Sequence, residues 1–187
     1  MNINNEKMKK VFSDYADIYG KLCESSRNDY IKKLAPGSSL PKAGILYGDD
    51  AAATFSAKCT ELRQQGNAII DDEMNAINDK LTAAPTAEAV NACTLLSLRK
   101  SKDAEEYRAL LKKYGDNVQT GDTIRAIAKQ NNVLSLPDDP IKEKAEALES
   151  LRGTIYRDIT PRNAAQGNTS PGHIAVFNMI IDEAIPE

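Results

Sequence analysis

Apolar residues recur along this chain at spacings of three and four, the interval that places side chains on one face of an α-helix. Met8, Val11, Tyr15, Ile18 and Leu22 follow that rhythm in alternating steps that match a coiled-coil seam. They predict a long first helix from about residue 5 to Leu34, ended by "APGSSLPKAG", whose prolines and glycines stop the helix and turn the chain. Phe55, Cys59, Leu62 and Ile69 start a second stripe, which Ile70, Met74, Ile77 and Leu81 continue after a small rotation near Gly66. Two long helices joined by one connector predict an antiparallel hairpin.

Beyond this hairpin the pattern breaks into shorter pieces. Pro85-Thr86 opens a helix through "AEAVNACTLLSLRK", and Lys102-Asp103 opens another whose stripe is Tyr107, Leu110, Leu111 and Tyr114, with Gly115 at the C-terminal cap. A third begins near Thr120 to Asp122 and carries Ile124, Ile127 and Ala128 before Asn131-Asn132. In "PDDPIKEK", Asp139 is the N-cap and Pro140 the first helical residue of a helix running to Ile159, with Ile141, Ala145, Leu148, Leu151 or Arg152, and Ile155 facing one way. "TPRNAAQGNTSPG" reads as an irregular loop. Ser170-Pro171 then opens a last helix expected to bury Ile174, Phe177, Ile180, Ile181 and Ala184. "AGILYG" alone has strand character, and it is too short to seed a sheet. The fold class is therefore all-α, a long N-terminal helical hairpin over 1–82 plus a bundle of shorter helices with a C-terminal helix pair over 83–187, as two parts or as one continuous domain.

Composition narrows the picture. With 187 residues, 41% hydrophobic, 5% aromatic and no Trp, the chain can bury an aliphatic core. A net charge of −3 gives no overall pull toward nucleic acid or an anionic membrane. No apolar stretch is long enough to span a bilayer and the start "MNINNEKMKK" is polar, so the chain is expected to be soluble, cytoplasmic and unexported. Three widely spaced cysteines, Cys23, Cys59 and Cys93, are expected to be free buried thiols rather than a disulfide framework or a metal site.

Candidate chemistry is sparse. Tyr47-Gly48-Asp49-Asp50 looks like the metal-binding turn of a template-directed polymerase, but that site requires a strand after the aspartates. Here Ala51-Ala52-Ala53 follow, and an aspartate before strong helix formers is a favoured N-cap. "TIRAIAKQNNV" resembles the start of a helix-turn-helix unit. Its continuation, "LSLPDDPIKEKAEALES", is acidic where a recognition helix should be basic, so no direct DNA reading is expected. His173 is the single histidine, which excludes sites that need several. Asp71-Asp72-Glu73, Glu105-Glu106 and Asp138-Asp139 occupy adjacent positions, about 100° apart on a helix, and read as solvated faces and caps. No phosphate-binding glycine loop occurs. Catalytic residues, metal ligands and cofactors are accordingly predicted to be none. The one recognition candidate is the C-terminal loop, where Arg157, Arg162, Asn163 and Asn168 bring charge and hydrogen-bonding capacity to a connector between helices.

"YGDDAAATFSAKCTELRQQ", "PTAEAVNACTLLSLRK" and "YGDNVQTGDTIRAIAKQNNV" resemble small helical proteins of phages and prophages of Gram-positive bacteria, over roughly residues 45 to 135. No known chemistry attaches to those motifs, so the resemblance carries over no functional residue. It implies a viral protein working in a bacterial host cytoplasm or assembled there into a virion. Two functions follow as expectations. The first is a non-enzymatic virion assembly or structural component, binding a phage structural protein through its helical faces, with self-association as an alternative way to cover them. The second is a counter-defence inhibitor of a host nuclease, anti-CRISPR-like in action. Mild acidity disfavours simple DNA mimicry, and no membrane partner is expected.

Overall fold

A computed structural model describes residues 2–33 and 49–186 of the chain. Every regular element among the described residues is helical, as the periodicity predicts: α1 (Ile3–Lys33), α2 (Asp49–Thr82), α3 (Ala87–Arg99), α4 (Ala104–Tyr114), α5 (Val118–Gln130), α6 (Pro140–Asp158), α7 (Pro161–Asn163), a π turn (Ala164–Asn168) and α8 (Pro171–Ala184). The connector and the "AGILYG" strand candidate lie outside the described residues. The all-α fold with its long first helix stands.

Local signals fix most of the boundaries. Thr86 caps α3 by accepting from the Ala89 amide at 3.2 Å, and Asp103 caps α4 by accepting from Glu105 at 3.0 Å. Asp139 accepts from the Ile141 amide at 2.9 Å, with Pro140 in the first helical position of α6. Helix α5 starts earlier than its sequence reading: Asn117, not a residue from Thr120 to Asp122, accepts from the Thr120 amide at 3.0 Å. Asparagine is as good a cap as aspartate, so the "GDN" before Val118 carries the stop and the restart together. Gly115 does end α4, donating to the Leu111 carbonyl at 2.7 Å with an ordinary negative φ of −70°. Glycine is needed there for closeness, because a Cβ would run into the Leu111 carbonyl oxygen.

Contacts divide the chain into two compact units, Met1–Asp71 with Ala147–Glu187, and Asp72–Glu146. The expected parts, 1–82 and 83–187, cut the chain elsewhere. The difference arises because the second half of α6 and all of α8 bury their apolar faces with α1 and α2.

In the first unit α1 packs along α8. Phe12 stacks on Phe177 with ring centroids 4.4 Å apart, and Lys9 pairs with Asp182 at 2.7 Å. Asn5, fully buried, donates to the Ile185 carbonyl at 2.6 Å and to Asp182 at 2.9 Å, which closes the two ends of the described chain on each other. The two long helices meet through rings: Tyr15 and Tyr19 lie 6.2 and 5.5 Å from Phe55. Gly66 lets α2 approach α6, since a Cβ there would stand 2.8 Å from Ile155 Cδ1.

The second unit has its own core of Leu96, Tyr107, Ile124, Ile127, Ala128 and Val133, drawn from α3, α4, α5 and the segment after them. Tyr107 is tethered at its polar end, donating to the Ser101 carbonyl at 2.9 Å and accepting from Asn131 at 2.8 Å. Arg125 clamps the stretch before α6 with bonds to the Pro137 and Asp138 carbonyls at 2.9 and 3.1 Å and to Asp139 at 3.2 Å. Nine residues, 131–139, separate α5 from α6, where a helix-turn-helix unit would need a tight turn of about three to four residues.

Candidate functional site

The C-terminal segment singled out by the sequence is not an irregular loop. Thr160 caps α7 by accepting from the Asn163 amide at 3.1 Å, Pro161 takes the first helical position, and a π turn follows that breaks at Gly167, whose φ of +101° favours glycine. At its centre is Asp158, the last residue of α6 and a buried carboxylate. Arg157 donates to it through Nε at 3.2 Å and through its terminal nitrogen at 2.9 Å, while the Asn163 and Asn168 amides reach it at the long limit of 3.5 Å. Asn163 also donates to the Arg157 carbonyl at 2.7 Å. Tyr15 donates to the Thr160 carbonyl at 2.7 Å and ties the segment to α1; burial pushes its phenol well above the ordinary range, against the opposing pull of that bond. Three of the four predicted recognition residues, Arg157, Asn163 and Asn168, thus converge on a carboxylate of their own chain. A buried charge demands such partners, which gives these residues a structural reason. Arg162 is exposed, and the Arg157 side chain is 69% exposed against 11% for Asp158, so two guanidinium groups still face solvent.

Other sequence candidates fall at ordinary positions. Asp49 and Asp50 lie inside α2 rather than before it, so Asp50 is not the cap; residue 48, where a cap would sit, is outside the described residues. The strand a polymerase turn requires is replaced by helix. His173 Nδ1 lies 3.0 Å from Ser170 Oγ, the residue capping α8. All three cysteines are free, but only Cys59 is buried; Cys23 is exposed and Cys93 half-buried, correcting the expectation of three buried thiols. Burial pushes the Cys59 thiol up to about 11.

The feature that periodicity does not single out is the outward face of α3. Ala89 and Leu96 are buried, yet Val90, Leu95 and Leu98 are 48%, 55% and 73% exposed, within about 140° of the helix circumference. Beside them a groove of about 440 Å³ runs between α3 and α5, lined by Val90, Cys93, Thr94, Ser97, Thr120, Thr123 and Ile127 among others, with no charged side chain. A second groove, about 410 Å³ between α1 and α8, is by contrast lined with Glu6, Lys9, Lys10, Asp14 and Asp17. The signal for the α3 face was present in "TLLSL": adjacent leucines point about 100° apart, so a helix that buries Leu96 must turn Leu95 toward solvent. Val176 and Met179 make a smaller exposed pair on α8, at 51% and 71%. No described helix is long and apolar enough to cross a membrane.

Comparison of the chain with protein-family models, with curated proteins and with solved structures finds no match.

Proposed function

We propose that this protein acts without catalysis, by stoichiometric binding to other protein, as an assembly or structural component of a phage-type particle. The observation that carries this reading is the outward face of α3, where Val90, Leu95 and Leu98 stand in solvent beside an uncharged groove. Apolar side chains grouped on one helix face, next to a concave surface, are what a protein partner covers. The resemblance of three stretches to phage and prophage proteins supplies the setting.

The test is affinity capture from phage-infected cells with the full chain as bait, repeated with Arg157 and Arg162 both changed to Glu. Recovery of a phage structural protein in fixed ratio supports the reading. Recovery of a host nuclease in its place moves the function to counter-defence, and turnover of a small molecule by substoichiometric protein defeats the binding reading altogether. The double variant reports on the C-terminal segment: unchanged capture removes Arg157 and Arg162 from the interface.

A further inference from the structure

We draw no further inference here: the strongest candidate, the exposed Val90, Leu95 and Leu98 face of α3 with the uncharged groove between α3 and α5 beside it, is an unpartnered apolar surface, and nothing in the structure shows what covers it.

Discussion

A buried carboxylate orders its surroundings because ionised oxygens withdrawn from water must be met by donors. Asp158 is met by Arg157, Asn163 and Asn168, and each bond pulls the chain after α6 back onto the helix end. Asp158→Ala should therefore cost about 1–3 kcal/mol by leaving those donors unmatched. Arg162→Ala, at an exposed side chain, should stay within about 0.5 kcal/mol of the parent. Urea titration of both variants checks the contrast, and equal effects would dissolve the proposed role of Asp158. Thiol chemistry gives a second prediction at this scale. Cys23 should react first with a disulfide reagent at neutral pH, Cys93 next and Cys59 last, because burial both shields the Cys59 sulfur and keeps it protonated until about pH 11. Mass spectrometry of a timed reaction orders the sites. The four candidate residues were legible as a polar cluster, but the convergence of Arg157, Asn163 and Asn168 on Asp158 was not: nothing in "YRDITPRNAAQGN" says that Asp158 ends buried, while Tyr15 ties that segment to α1 from far along the chain.

Among the elements, the long amphipathic helices were readable from spacing alone, because an apolar side chain every three or four residues has one way to be buried. Met8, Val11, Tyr15, Phe55, Cys59 and Leu62 all sit in the core. Caps were readable where the capping residue touches a proline or a strong helix run, as at Thr86, Asp139 and Ser170, and were misplaced at α5, where two polar candidates compete within a few residues. Which helices meet was less accessible, since partner choice depends on surface shape. Gly66 is the instance: in sequence it marks a rotation of the stripe, and in the structure it is the gap that admits Ile155. Gly66→Ala gains about 1 kcal/mol of helix propensity but must displace a packed Cδ1, so little net change is expected. Ile155→Val removes that atom. In the Ile155→Val background Gly66→Ala should then stabilise by about 1 kcal/mol, a favourable coupling that a double-mutant cycle measures and that is absent if the two helices do not touch there.

At the scale of the whole chain, two units with separate cores predict separate responses to damage. Leu96→Ala should cost about 2–5 kcal/mol, as a fully buried leucine in the second unit. Hydrogen exchange should then show faster opening in α3, α4 and α5 before α1 and α8 are affected; simultaneous loss of protection in all five would mean a single cooperative core. The all-α class and the helix order were legible, while the division was not, because hydrophobic pattern records that a face is buried and is silent on which later segment buries it. That silence has a temporal side. Asn5 waits for Ile185, 180 residues further on. At a ribosomal pace of about 5–20 residues per second, roughly 10–35 s separate the emergence of the first from that of the second. Throughout that interval α1 is without its α8 face, whereas Asp72–Glu146 is complete at residue 146, before any of α8 is made. The contiguous unit is thus positioned to consolidate on the nascent chain, and the unit that opens the sequence is the last to be completed.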